Sequence, residues 1–150
     1  MESEVVTLII GTILGAAITF CFSVLEKRIE RRRDKKNATI LLKIELGRMS
    51  DQINGLGDAQ SSFGLFIPST DLPELEASIQ LNSFVYYDNK LAEKIYDLAM
   101  SLRSANKHRA VAHLLIHDQK NPNFQSNAIV FSHEFDHIKN LISDLKQNIK

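Results

Sequence analysis

The chain is poor in the residues that build disulfide scaffolds and fibrous proteins. Its 150 residues include one cysteine, three prolines and no tryptophan. A single cysteine excludes an internal disulfide framework, and so little proline excludes a collagen-like repeat. Hydrophobic residues make up 44% of the chain, which excludes a disordered tail. The length predicts one domain of ordinary size.

The chain also lacks an excess of charge of either sign, since it holds 18 basic and 18 acidic residues. A dedicated nucleic-acid binder needs an excess of lysine and arginine over a whole face. Nucleic acid is therefore not an expected partner, and no motif predicts a cofactor. The charges are unevenly placed, however, and their placement is informative.

Charge is absent from residues 5–25, a run of 21 residues. A helix of that length rises about 30 Å, the thickness of the hydrocarbon core of a bilayer. A cleaved signal peptide would begin with basic residues and end at a small-x-small site, and the sequence has neither. A buried core helix is the alternative. We predict that residues 1–25 form a transmembrane anchor.

A basic collar, residues 26–36, follows the anchor. Its seven cations are Lys27, Arg28, Arg31, Arg32, Arg33, Lys35 and Lys36, against three acidic residues. The positive-inside rule predicts a single-pass protein with its N-terminus outside and residues 37–150 in the cytoplasm. The collar is also expected to contact the anionic surface of the lipid bilayer.

Small residues recur every four positions within the anchor, at Thr7, Gly11, Gly15, Thr19 and Ser23. Such a stripe lets helix backbones approach closely, and hydroxyl groups can bond across the contact. The stripe predicts a homo-oligomer. The alternative is that four-residue spacing of common membrane residues arose by chance.

The remaining residues, 37–150, read as helices. Apolar residues follow a 4-3-4-3 rhythm in two seams, Leu42, Leu46, Met49, Ile53 and Leu56, and Phe131, Phe135, Ile138, Ile142, Leu145 and Ile149. Gly55 and Gly57 are expected to end the first of these helices, and Asn121, Pro122 and Asn123 to mark a turn of roughly residues 118–126 before the last. The predicted fold is all-α, with an N-terminal transmembrane helix followed by a cytoplasmic helical bundle.

Two further helices are predicted between these seams. Asp71 resembles a helix cap with Glu74 three residues later, which predicts a helix to about Leu81. Asp88 is expected to open another helix that runs to about His117, with a stripe formed by Leu91, Ile95, Leu98 and Leu102. Residues 58–70 form a loop with an apolar centre at Phe63, Leu65, Phe66 and Ile67. This loop either folds over the bundle or touches a membrane or a partner.

Residues 133–137 match the zinc-protease pattern H-E-x-x-H. On a helix, however, His133 and His137 fall opposite the apolar stripe and are expected to face solvent. No third ligand follows at protease spacing. A site formed with His113 and His117 is a second possibility, but the expected register places His113 level with about residue 131 and His137 more than a turn away. The sequence therefore assigns no metal site.

Arg103 and His108 form an R-x4-H element. In ribonucleases of the HEPN type, this spacing places an arginine and a histidine near one phosphodiester, where histidine transfers a proton and arginine neutralises developing charge. Two subunits normally build one such site. Arg103 and His108 are the candidate catalytic pair, and chance occurrence of two residues is the alternative.

A span, a basic collar and a helical body that begins at Ala38 resemble small bacterial membrane proteins with a single span. With Arg103 and His108, the chain also resembles the HEPN-like membrane accessory proteins of type VI-B CRISPR systems. That resemblance implies a location in the bacterial inner membrane and an oligomeric, membrane-permeabilising role in phage defence.

Two functions follow as hypotheses. In the first, several copies form a ring that depolarises the membrane, with hydroxyl groups such as Thr12 lining part of a pore. In the second, the span is a tether, and the loop or an exposed helix face recruits a cytoplasmic protein. A third hypothesis is that the protein is a ribonuclease.

Overall fold

The computed structural model describes residues 2–56 and 67–149, with side chains from Ile10 onward. All regular structure in these residues is helical: α1 (Glu2–Gly55), α2 (Ala77–Tyr86), α3 (Asn89–Leu114) and α4 (Pro122–Asn148). The predicted all-α class is therefore confirmed. The chain divides into two compact units, Met1–Asn37 and Ala38–Lys150.

The first unit consists of the N-terminal part of α1. Every side chain from Ile10 to Arg33 is exposed, apart from the half-buried Ser23. An exposed helix of this length and apolar character is unusual for a soluble protein, because its side chains cover no core. By length and composition, α1 can cross a membrane.

The second unit is built on the two seams predicted from the sequence. Leu42, Leu46, Met49 and Ile53 of α1 are buried, and Leu56 packs against them. All six seam residues of α4 are buried in the same cluster. The apolar rhythm therefore predicts the core-facing sides of both helices correctly.

Two helices begin at side-chain caps, and of these the sequence predicts only the start at Asp88. The Asp88 carboxylate accepts a hydrogen bond from the Leu91 N–H at 2.8 Å, and α3 begins at the next residue. The Asn121 side chain accepts from the Asn123 N–H at 3.0 Å, and Pro122 occupies the first position of α4. Both are standard caps, in which a side-chain oxygen satisfies a free helical N–H. The α3 helix ends at Leu114, three residues before the predicted end.

The predicted start of α2 is wrong. The helix begins at Ala77 rather than at Asp71, and it ends at Tyr86 rather than at Leu81. The residues before it are bonded to α3 instead, since Asn106 binds the backbone of Leu72 and Arg109 pairs with Asp71. Asp71 therefore engages an arginine and does not cap a helix.

The predicted register of α3 against α4 is also wrong. Four side-chain pairs define the observed antiparallel register: Lys94 with Asp144, Asp97 with His137, Ser104 with Glu134 and His108 with Asn127. Continued along both helices, they place His113 level with about residue 123 rather than residue 131. The reason is the connection, which spans residues 115–121 and therefore lies earlier in the chain than the turn expected at roughly residues 118–126.

The apolar loop is described only at its end. Phe63, Leu65 and Phe66 lie outside the described residues. Ile67 is buried and packs in a second, smaller cluster with Ala112, Phe124 and Ala128. This end of the loop therefore covers the bundle, as one of the two alternatives for it predicted.

Candidate functional site

Arg103 and His108 lie on different sides of α3. Arg103 is exposed and lines a small cavity with Glu74 and Gln80. His108 is half-buried, and its Nδ1 lies 2.7 Å from Oδ1 of Asn127 on α4. Five residues along a helix turn a side chain by about 140°, which accounts for the divergence.

One chain therefore does not bring the predicted catalytic pair together. The imidazole of His108 is held by Asn127, whose own Nδ2 donates to the Asn123 carbonyl at 2.7 Å. This arrangement fixes the ring against α4 and explains its position without a substrate. The ribonuclease reading stays a prediction that needs a second subunit to supply the other half of the site.

The candidate metal ligands are dispersed over the bundle. His113, His117, His133 and His137 are all exposed, as expected for the last two. Nε2 of His137 lies 3.2 Å from Asp97, while Glu134 accepts a hydrogen bond from Ser104. Within residues 2–56 and 67–149, no group of three histidine, cysteine, aspartate or glutamate side chains could hold a metal ion.

The most extensive polar contact in the body joins α3 to the strap, which we define as residues 67–76. The side-chain amide of Asn106 donates to the Leu72 carbonyl at 3.0 Å and accepts from the Leu72 N–H at 2.7 Å. One turn later, the Arg109 guanidinium donates to the carbonyls of Pro68 and Ser69 and pairs with Asp71. These bonds satisfy strap backbone groups that no helix or sheet satisfies.

The sequence analysis missed this contact, although it contains one signal for it. The α3 stripe continues seven residues beyond Leu102 to Arg109, so the periodicity predicts a buried position that holds an arginine. Arg109 is indeed only 7% exposed. A buried guanidinium requires partners. The strap supplies them to both terminal nitrogens, whereas the buried Nε has no hydrogen-bond partner among the described residues.

A second feature is an apolar surface on α1 and α2. We define the α1–α2 apolar face as six exposed residues: Ile40, Leu41, Ile44, Leu81, Phe84 and Val85. Phe84 is 68% exposed and Leu81 is 69% exposed, although α2 has only ten residues. Large apolar side chains that stay exposed on a folded helical body commonly mark an interaction surface.

The two halves of this face lie at the same level of the bundle. At one end of α2, the Thr39 side chain partly offsets the rise in the pKa of Tyr87 that burial causes. At the other end, Glu76 adds to the rise in the pKa of Arg48, for which the hydrogen bond to Glu45 is the larger cause. The two ends of α2 therefore lie within electrostatic reach of residues 39–48 of α1.

The small-residue stripe of the first unit is open. A Cβ atom added at Gly11 or Gly15 would meet no atom within 4 Å. The Thr19 hydroxyl donates to the Gly15 carbonyl at 2.9 Å, so its proton is satisfied within its own helix. The side chain of Thr7 lies outside the described residues, and Ser23 is half-buried. The stripe thus offers a shallow surface on which a second helix could pack.

The seven basic side chains of the collar are all exposed. They are therefore available to solvent or to an anionic surface.

Comparison of the chain with protein-family models, with curated proteins and with solved structures gives no match.

Proposed function

We propose that the protein is a membrane-anchored helical effector that assembles into homo-oligomers and depolarises the bacterial inner membrane. The observation that carries the proposal is the α1–α2 apolar face, whose six side chains stay exposed in the part of the chain that the structure describes. The span would anchor the protein with its N-terminus outside, and the collar would hold the body at the cytoplasmic surface.

The proposed assembly uses two surfaces of the same chain. In the span, the glycines of the stripe would allow close helix contact. In the body, Phe84 and Leu81 would be covered by a second copy, because burying such side chains is favourable by about 25 cal/mol per Å². The hydroxyl groups of the span would line part of the opening. The resemblance to accessory proteins of type VI-B CRISPR systems supports a role in phage defence.

The test is expression of the full chain in bacteria with a potential-sensitive dye. We expect wild-type protein to depolarise the cells, and the Leu81→Ser plus Phe84→Ser variant to depolarise them less and to yield a smaller detergent-extracted particle. Leu114→Ser is the matched control, because Leu114 is 81% exposed and lies outside the face. Unchanged potential with wild-type protein would refute the depolarising function.

The second candidate is a tether that recruits a cytoplasmic protein through the same face. The observation in its favour is that the face lies entirely in the second unit, so it is available without assembly of the span. In that case, the membrane potential stays normal, and one defined protein co-purifies with wild type and with Leu114→Ser but not with the face variant.

A further inference from the structure

A cleft between α1 and α4 differs in charge from the rest of the body. Residues 37–150 hold 11 basic and 13 acidic residues, so the body is slightly acidic. The cleft has a volume of about 420 Å³, and no acidic residue lines it. Its polar walls are formed by Ser50, Asn54, Lys139, Ser143, Lys146 and Gln147.

The two lysines of the cleft have no carboxylate partner among the described residues, whereas several other cations of the body do. Lys94 pairs with Asp144, and Arg109 pairs with Asp71. The Lys139 ammonium instead lies 4.4 Å from the centre of the Phe135 ring, which holds it on this side of α4. Two acidic residues are close in sequence: Asp136 lines the adjoining cavity, and Asp144 pairs with Lys94.

The spacing of the polar groups suits a ligand with an anionic end. Lys139 and Lys146 are seven residues apart, which places them on one face of α4 about 10 Å apart along the axis. Ser143 lies between them, and Ser50 and Asn54 face them from successive turns of α1. Ammonium, hydroxyl and amide groups are the donors that bind phosphate oxygens.

The cleft also has an apolar part. Ile53 and Ile142 line it, and each is only 3% exposed. A pocket of a few hundred cubic ångströms with apolar walls and a few convergent polar groups is typical of small-molecule sites. A flat ring on the two isoleucines would leave an attached phosphate within reach of the lysines.

We propose that this cleft binds a small organic phosphate of nucleotide size, with the phosphate held by Lys139 and Lys146 and the ring packed on Ile53 and Ile142. The proposal is independent of oligomerisation and depolarisation. A phosphate group could also belong to a lipid, so the experiment must distinguish a soluble phosphate from a headgroup.

The test is calorimetric titration of the full chain in nanodiscs of phosphatidylcholine, with ADP as the probe and adenosine as its phosphate-free counterpart. We expect ADP to bind and adenosine to bind much more weakly. Lys139→Gln and Lys146→Gln should each raise the Kd for ADP about tenfold, because each removes a charge-assisted hydrogen bond. Lys107→Gln and Lys120→Gln are matched controls, since both lysines are exposed and lie outside the cleft.

Three outcomes would overturn the proposal. These are the absence of any heat of binding with ADP, binding of adenosine as tight as that of ADP, and control variants that weaken ADP binding as much as the cleft variants do. A fourth arm adds phosphatidic acid to the nanodiscs. Loss of ADP binding there would assign the cleft to a lipid headgroup and would overturn a soluble ligand. Unchanged ADP binding in the presence of phosphatidic acid supports a soluble ligand.

Discussion

The side-chain amide of Asn106 pairs with the backbone of Leu72 as a neighbouring β-strand would. Its Nδ2 donates to the Leu72 carbonyl at 3.0 Å, and its Oδ1 accepts from the Leu72 N–H at 2.7 Å. Pro73 follows Leu72 and disfavours helical geometry there. One α3 side chain therefore replaces the secondary structure that the strap lacks, and it keeps α2 from starting at Asp71.

We expect Asn106→Ala to lower the free energy of unfolding by about 2 kcal/mol, because two strap backbone groups lose their partner in a partly buried place. Urea unfolding of the full chain in detergent, followed by circular dichroism, measures the loss. Lys107→Ala is the matched control, since Lys107 is the exposed neighbour on the same turn. A loss for Asn106→Ala no larger than that of the control would show that the strap is held by its apolar residues alone.

The ion pair between Arg109 and Asp71 is asymmetric, which predicts unequal effects of its two substitutions. The Arg109 side chain is 9% exposed, whereas that of Asp71 is 71% exposed. Arg109→Lys should destabilise by about 2–3 kcal/mol, because a lysine cannot donate to two carbonyls and a carboxylate at once. Asp71→Asn should cost less than about 1 kcal/mol, as exposed ion pairs usually do. Equal losses in the same urea experiment would contradict this account.

Structural features that depend on residues close in sequence were predicted correctly, whereas the strap contacts, which join residues far apart in sequence, were not. The Asp88 cap and the seams of α1 and α4 depend on residues a few positions apart, and the sequence predicted them. The strap depends on Asn106 and Leu72, which are 34 residues apart. No local pattern contains that contact, and the capping motif at Asp71 was therefore misleading.

The surroundings of the candidate catalytic pair could not be predicted for a related reason. Arg103 and His108 are close in sequence, but a helix turns them apart, and the pairing of His108 with Asn127 depends on where the α3–α4 connection lies. In the sequence, the residues of the α1–α2 apolar face show no periodic pattern of their own besides the pattern of the buried seams. Their importance is visible only because the core leaves them uncovered.

The open stripe predicts helix association in a membrane. Replacing both Gly11 and Gly15 with isoleucine should abolish span-driven association, because the added side chains hold the backbones apart. A reporter of helix association in a bacterial membrane measures the effect. Ala17→Ile adds similar bulk on the opposite side of the helix and should leave association intact. Equal signals for wild type and the double variant would remove the stripe as an interface.

The buried hydroxyl group of Tyr87 leads us to expect that the folded chain loses stability at high pH. Burial raises the pKa of its hydroxyl above the ordinary value, and the Thr39 side chain offsets this only in part. The neutral phenol is therefore favoured by folding. Its contribution is fully present below about pH 10, the ordinary pKa of tyrosine, and is lost as the pH rises through the folded-state pKa.

The measurement for Tyr87 is a spectrophotometric titration of the folded chain alongside urea unfolding at several pH values. The chain has three tyrosines, and we expect Tyr87→Phe to remove the last of them to ionise and to flatten the fall in unfolding free energy above about pH 10. Tyr96→Phe is the control, because Tyr96 is 55% exposed, and it should keep both the late ionisation and the steep fall. If the late ionisation persists in Tyr87→Phe, the buried phenol is not its source, and burial of Tyr87 does not set the alkaline limit of the fold.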